Sequence, residues 1–322
     1  MTFWRTARNG AWRGTRSFLK LMAVVAPVYT GITILRYTPA LKAFAELTAP
    51  LMRHFGLPGE AALALILGNV INLYAGLGAI TALHLPVPQL TVLSVMLLLS
   101  HSQILETAVF FQIRAKWWLL WAVRLALSLL AGVGLGRLLV GSGVSGGAGS
   151  AAELARIAQA EFVGFWPAAG GWALGLWDTA YKMLLVLLAI FVALEFARRY
   201  GLLERMLQGV NRVTRHMGLS KEAGMPWLAG NIFGIVFGAG AIIDSVREHK
   251  LTPKQVTLVA TFLALSHGLF EDTAIFIVLG ANLFWITVPR IVLAVLVTWV
   301  LGLILTDKTE TADETVEVAD GD

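Results

Sequence analysis

The chain has no cysteine and very few charged residues. Only 14% of its 322 residues are charged and 57% are hydrophobic, whereas about a quarter of the residues in a soluble domain are charged. So little polar surface cannot cover a folded chain in water, and we therefore expect an integral membrane protein. The absence of cysteine excludes disulfides, thiolate metal ligands, cysteine-ligated clusters and cysteine nucleophiles.

Common enzyme motifs are also lacking. The sequence contains no HExxH zinc motif and no Walker A phosphate loop, which are signatures of metalloproteases and of nucleotide hydrolases. Because no other set of residues suggests a reaction, we expect neither an enzyme nor a bound cofactor.

The net charge of +5 is unevenly distributed. The last sixteen residues hold seven acidic side chains and one lysine, so the rest of the chain is more basic than the total suggests. Basic residues next to apolar segments are typical of cytoplasmic loops of membrane proteins. The charge therefore does not predict binding to nucleic acid, and the acidic tail, poor in apolar residues, is expected to be disordered.

Two halves of the chain resemble each other. RHFGLPGEA at 53–61 matches RHMGLSKEA at 215–223, and GNVINLYAGLGAI at 68–80 matches GNIFGIVFGAGAI at 230–242, both at an offset of 162 residues. LSHSQILETAVFF at 99–111 matches LSHGLFEDTAIFI at 265–277 at an offset of 166. Conserved order and spacing over about 120 residues of both halves indicate a duplication.

The repeat and its flanks divide the chain into five parts. A spanning helix needs about 20 apolar residues, and apolar stretches of about this length recur on both sides of a glycine- and serine-rich linker. We expect a basic cytoplasmic N-terminus at 1–20, a first repeat at 21–140, the linker at 141–171, a second repeat at 172–306 and the acidic tail at 307–322.

The distribution of basic loops predicts that the two repeats have opposite orientations in the membrane. The basic stretches 1–20, 114–116, 198–221 and 247–254 lie on one side only if each repeat crosses the membrane an odd number of times. An odd count requires 61–83 and 227–243 to be re-entrant or broken helices, and their glycines favour this. We therefore expect an all-α polytopic membrane protein of two inverted repeats.

Polar side chains interrupt the apolar segments at matching places in the two repeats. Such residues are costly in a bilayer and commonly mark a transport pathway. Substrate-binding roles are predicted for Asn69, Asn231, Ser100, His101, Gln103, Ser266, His267, Thr107 and Thr273. Coupling of protons or ions is predicted for Glu106, Glu271 and Asp272, and charge balance for Arg124 and Arg290.

The geometry of these residues depends on whether the helices are continuous. On a continuous helix Ser100, Gln103 and Glu106 share a face that excludes His101, and His267 can touch Glu271 four residues on. A break near the Ser–His pairs would instead direct helix N-termini toward an anion. Two structural alternatives also remain, namely helix packing through the Gly–Asn pairs and a mutually satisfied network of histidine, carboxylate and arginine.

The GN…GxGA and SH…(E/D)TA segments resemble those of the Gate-domain, or nucleoside-recognition, family, over about residues 20–305. Similar domains occur in spore-maturation-type membrane proteins, in concentrative nucleoside transporters and in the membrane part of bacterial ferrous-iron transporters. The resemblance implies a multi-pass protein of the bacterial inner membrane that contains paired Gate repeats.

We thus expect a secondary transporter of a small polar or anionic solute, nucleoside-like solutes included, coupled to protons or another ion. A divalent metal cation permease that uses the histidines and carboxylates, and a non-transporting scaffold in a larger complex, are the alternatives; whether the site binds a metal is left open. The expected partners are the lipid bilayer and the solute, not nucleic acid. The oligomeric state is left open, a homo-oligomer included.

Overall fold

The computed structural model describes residues 3–141, 164–202, 205–206, 209, 214–248 and 250–306, and within these ranges the regular structure is helical. The first half contains α1 Phe3–Leu35, α2 Pro39–Met52, α3 Ala61–Val70, α4 Leu73–Leu83, α5 Val87–Ser100, α6 Gln103–Gln112 and α7 Trp117–Leu135. The second half contains α8 Phe165–Arg199, α9 Gly224–Phe233, α10 Ile235–Arg247, α11 Pro253–Ser266, α12 Glu271–Val278 and α13 Leu283–Ile304.

Each half supplies three membrane-spanning segments. Among the described residues six segments are long and apolar enough to cross a bilayer: α1, α5 with α6, α7, α8, α11 with α12, and α13. The helices α3 and α4 have only 10 and 11 residues, too few to span singly. Three crossings per half place the equivalent ends of the two repeats on opposite sides, as expected for inverted repeats.

The contact between α1 and α8 confirms this inversion. A Cβ atom at Gly10 would lie 2.6 Å from Cα of Val192, while Trp172 donates its indole N–H to Oγ1 of Thr30 over 3.0 Å. The two helices are therefore antiparallel. Because the repeat offset relates Gly10 to Trp172 and Thr30 to Val192, the two contacts are equivalent, and a pseudo-two-fold axis in the membrane plane relates the halves.

Glycines allow α3–α4 and α9–α10 to fold back as tight hairpins. A Cβ atom at Gly68 would lie 2.4 Å from Cδ2 of Leu97, and one at Gly230 would lie 2.5 Å from Cδ1 of Leu263. These glycines allow the two hairpins to approach α5 and α11 closely, the helices that carry Leu97 and Leu263. At the second hairpin's tip Gly234 has φ +89°, a conformation that favours glycine.

The helices α1 and α8 extend across two of the expected domain boundaries. The helix α1 begins at Phe3, so the basic N-terminal stretch continues directly into the first span as one helix of 33 residues. The helix α8 begins at Phe165, so the last seven residues of the expected linker are helical. The remainder of the linker, apart from Gly141 and Gly164, and the acidic tail at 307–322 lie outside the described residues.

The crossing made by α5 and α6 can be tested with single cysteines, since the chain has none of its own. We expect a cysteine at Pro88 to react with an impermeant thiol reagent added outside intact cells, and a cysteine at Lys116 to react only after permeabilisation. Both positions are exposed and they flank one span, with the basic loop facing the cytoplasm. Labelling of both cysteines from outside would contradict the arrangement.

Candidate functional site

The two long broken helices are interrupted at equivalent positions. The segment α5–α6 breaks at His101 and Ser102, where Ser102 has φ +53°, and α11–α12 breaks after His267, where Gly268 has φ +60°. Ser102 donates its backbone N–H to the Gly68 carbonyl over 2.8 Å, and Gly268 does the same to Gly230 over 3.5 Å. Each break is therefore held by the neighbouring hairpin, in the middle of a spanning segment.

Two buried arginines bind the carbonyls that these breaks expose. Arg124 on α7 donates from Nε to the Leu99 carbonyl over 3.2 Å and from Nη2 to the His101 carbonyl over 2.6 Å. Arg290 on α13 donates in the same way to the carbonyls of Leu265 and His267. Both arginines are 0% exposed. A guanidinium with several donors suits a helix end whose last carbonyls lack intrahelical partners.

The two histidines face each other across the pseudo-two-fold axis, with ring centroids 5.0 Å apart. Nδ1 of His101 lies 2.9 Å from the Leu97 carbonyl, and Nδ1 of His267 lies 2.7 Å from the Leu263 carbonyl. A carbonyl only accepts, so the hydrogen of each neutral ring is on Nδ1 and its Nε2 is a bare acceptor.

Glu106 lies between the two bare nitrogen atoms. Its Oε1 is 3.3 Å from Nε2 of His101 and 3.5 Å from Nε2 of His267, and its Oε2 is 3.1 Å from Nη1 of Arg124. We call His101, Glu106 and His267 the His–Glu cluster. All three are buried, and with neutral rings and an ionised carboxylate the cluster joins three acceptors with no donor between them. A proton or a metal cation between these three acceptors would join them.

The second half does not reproduce the pairing of Glu106 with Arg124. Asp272 is the counterpart of Glu106 but is one methylene shorter, and within the described ranges it forms no ion pair with Arg290. Its Oδ2 instead lies against Gly268, where a Cβ atom would be only 2.4 Å away. The counterpart of Gly268 is Ser102, which does carry a Cβ atom. Nη1 of both arginines is buried without a hydrogen-bond partner, but among the described residues only Nη1 of Arg124 lies within ion-pair distance of a carboxylate.

Glu271 and the asparagines have other contacts than the sequence suggested. Glu271 accepts from Ser17 over 2.8 Å and from Tyr74 over 3.4 Å. Because α11–α12 is broken, the spacing at which His267 could touch Glu271 on a continuous helix does not apply. Asn69 and Asn231 donate to the carbonyls four residues earlier in their own helices. This bond within one helix favours the structural interpretation of the Gly–Asn pairs.

Some of the remaining predicted residues form hydrogen bonds to backbone carbonyls of their own helices, and others carry buried polar atoms without a partner. Ser100 and Ser266 donate to the carbonyls of Met96 and Phe262, and Ser266 also donates to Oδ1 of Asn231. Buried side-chain atoms without partners belong to three other predicted residues: Gln103, Thr107 and Thr273. The helix is broken at His101, so the alternative of a break near the Ser–His pairs applies, and the face of a continuous helix does not.

Sequence analysis missed three contributors to the site. Ser17 and Tyr74 bind Glu271 from α1 and α4, and neither stands out in the sequence. The difference between Ser102 and Gly268 was visible as SHS against SHG in the aligned repeats. Its importance depends on the left-handed backbone at both positions, which the alignment does not show.

Comparison with known proteins agrees with this architecture. The Gate family, described as nucleoside recognition, matches residues 18–117 and 180–282. An uncharacterized membrane protein, YvoD of Bacillus subtilis, is 29% identical over 301 residues, which cover 91% of this chain and 93% of that protein. No solved structure matches the chain. Since the family matches both repeats and more than half of the residues, the chain belongs to the Gate family.

Proposed function

We propose that the protein is a secondary transporter that moves a small anionic solute across the membrane through the interface of its two repeats. The observation that carries the proposal is Nη1 of Arg290, which is buried without a hydrogen-bond acceptor and, among the described residues, without an ion pair, whereas Nη1 of Arg124 lies 3.1 Å from Oε2 of Glu106. Leaving such a donor unsatisfied is costly. An anion bound there would satisfy it.

Further polar groups at the two breaks could complete a binding site for an oxygen-rich anion. The amide of Gln103 has neither its donor nor its acceptor atom bonded, and the hydroxyl groups of Thr107 and Thr273 also lack partners. Gln103 and Thr273 are 7% and 6% exposed, so these groups are withdrawn from water. Hydrogen-bond donors near an arginine are the usual means of recognising carboxylates and phosphates.

The inverted repeats suit transport better than a purely structural role. The His–Glu cluster is buried, and a cavity of about 200 Å³ lined by Tyr29, His84, Asp178 and Lys182 includes none of its members. In transporters built from inverted repeats, broken helices form a central site that opens to either side in turn.

The substitution Asp272→Glu tests the proposal, because it adds the methylene that distinguishes Asp272 from Glu106. We expect the longer carboxylate to reach Arg290 and replace the solute. Thermal stabilisation of the purified protein by acetate, lactate or phosphate, and uptake of the stabilising anion into proteoliposomes, should be lost while the protein stays folded. Asp244→Glu, at an exposed position on α10, makes the same chemical change and should have no effect.

The alternatives give different results in the same assays. Stabilisation and uptake of uridine alone would retain transport but contradict an anionic solute. Absence of any solute effect, together with unchanged stability of Asp272→Glu, would favour the scaffold interpretation. Anion uptake that survives Asp272→Glu would show that Arg290 is not the binding group.

A further inference from the structure

The three acceptor atoms of the His–Glu cluster have the spacing of a metal site. Nε2 of both histidines and a carboxylate oxygen of Glu106 all lie within 4.8 Å of one another. A cation between donors so placed is roughly 2–2.5 Å from each, close to the Zn–N and Zn–O bond lengths of about 2.0–2.2 Å. Only small movements would therefore complete the coordination.

The surroundings hold each of the three side chains in the orientation that a metal ligand needs. Histidine ligands usually donate their second ring N–H to a carbonyl or carboxylate, which fixes the free nitrogen toward the metal. Leu97 and Leu263 provide these carbonyls. Arg124 binds the other oxygen of Glu106, so Oε1 is directed at the histidines.

We propose that His101, His267 and Glu106 bind one divalent transition-metal cation at the repeat interface. Two imidazole nitrogen atoms and one carboxylate oxygen suit Zn²⁺, Co²⁺, Fe²⁺ or Ni²⁺, whereas Mg²⁺ and Ca²⁺ prefer oxygen ligands. Three protein ligands leave a coordination position open for a further group.

Charge balance indicates that an anion binds together with the metal cation. When ionised, Glu106 and Asp272 balance Arg124 and Arg290, so a divalent cation adds two positive charges to a buried site. Arg290 donates to the backbone carbonyl of His267, so an anion bound to Arg290 would lie beside the cluster and could compensate this charge. Joint binding of the metal and the anionic solute rests on the proposed function, whereas the metal site alone does not.

The metal site is tested by titrating the metal-free, full-length protein in detergent with Co²⁺ and recording its visible absorption. We expect one Co²⁺ per chain, displaced by Zn²⁺ and not by Mg²⁺ or Ca²⁺. His101→Asn and His267→Asn should weaken binding at least tenfold. Asparagine removes Nε2 but keeps an N–H for the Leu97 or Leu263 carbonyl, so the fold should persist. His54→Asn, at an exposed position, is the control and should bind normally.

Two results would overturn the metal site: no stoichiometric Co²⁺ binding by the wild-type protein, or binding that both cluster variants retain.

Joint binding is tested by repeating the titration with the anion that stabilises the protein. Coupling between sites is reciprocal, so the anion should raise Co²⁺ affinity in the wild type but not in Asp272→Glu. Co²⁺ binding without any anion effect or uptake would refute the proposed function and leave the metal site standing. Anion uptake without Co²⁺ binding would refute the metal site and leave the proposed function standing.

Discussion

The substitution Arg124→Leu is expected to lower the free energy of unfolding by roughly 3–5 kcal/mol, the usual loss when one member of a buried ion pair is removed. Arg124 is 0% exposed and is the cation 3.1 Å from Glu106. Without it the carboxylate faces two imidazole acceptors with no compensating charge. The carbonyls of Leu99 and His101 lose their donors as well, so the break between α5 and α6 should loosen.

Arg290→Leu provides a matched control for this prediction. It removes the equivalent two carbonyl bonds, to Leu265 and His267, but no carboxylate ion pair. We therefore expect a smaller loss, and the difference between the two variants isolates the contribution of the pair formed by Arg124 and Glu106. Thermal unfolding of both purified proteins in the same detergent measures it. Equal losses would mean that the carbonyl bonds, and not the ion pair, account for the stability.

The substitution Gly10→Leu is expected to separate α1 from α8 and to destabilise the protein by more than the 1–3 kcal/mol typical of an overpacked core. The atoms that a Cβ at Gly10 would meet are Cα of Val192, at 2.6 Å, and the carbonyl oxygen of Phe191, at 2.9 Å. These are backbone atoms, which cannot yield as a flexible side chain does. The contact also joins the two repeats, so its loss affects the whole assembly of helices.

Gly31→Leu tests whether the effect comes from the contact and not from helix composition. Gly31 lies on the same helix with nothing within 4 Å of its ideal Cβ position, and leucine is a better helix former than glycine by roughly 1 kcal/mol or less. We expect a Gly31→Leu protein with an unchanged or higher melting temperature and a single size-exclusion peak. Similar destabilisation by both leucine variants would refute the proposed role of Gly10.

Much of the architecture could be predicted because the duplication is recorded in the order and spacing of residues. Matched glycines indicated the hairpins at 61–83 and 227–243, and the basic loops indicated the inversion, both of which the structure confirms. The extent of α1 could not be predicted in this way, since a hydropathy pattern detects only the apolar part of a helix. Its basic part is held by contacts with α8, among them Arg13 with Glu195 at 3.3 Å.

The pairing inside the site was harder to predict than its composition. Histidines, carboxylates and arginines were all identified, but local spacing offered Glu271 as a partner of His267 only on a continuous helix. The partner is Glu106, in the other repeat, because a break in α11–α12 removes the spacing of a continuous helix. A contact between the repeats depends on tertiary geometry, and neither periodicity nor local spacing in one sequence contains it.

The unequal environments of Arg124 and Arg290 have a consequence for how a duplicated protein can evolve. In an antiparallel homodimer of single repeats every site occurs twice, so a substitution that adds a counterion to one site adds it to the other as well. Fusion of the two copies into one chain removes that restriction. Here Ser102 and Glu106 are the counterparts of Gly268 and Asp272, and among the described residues Arg124 has a carboxylate in ion-pair contact whereas Arg290 has none. Fusion thus allows one repeat to keep an internal ion pair that the other repeat lacks.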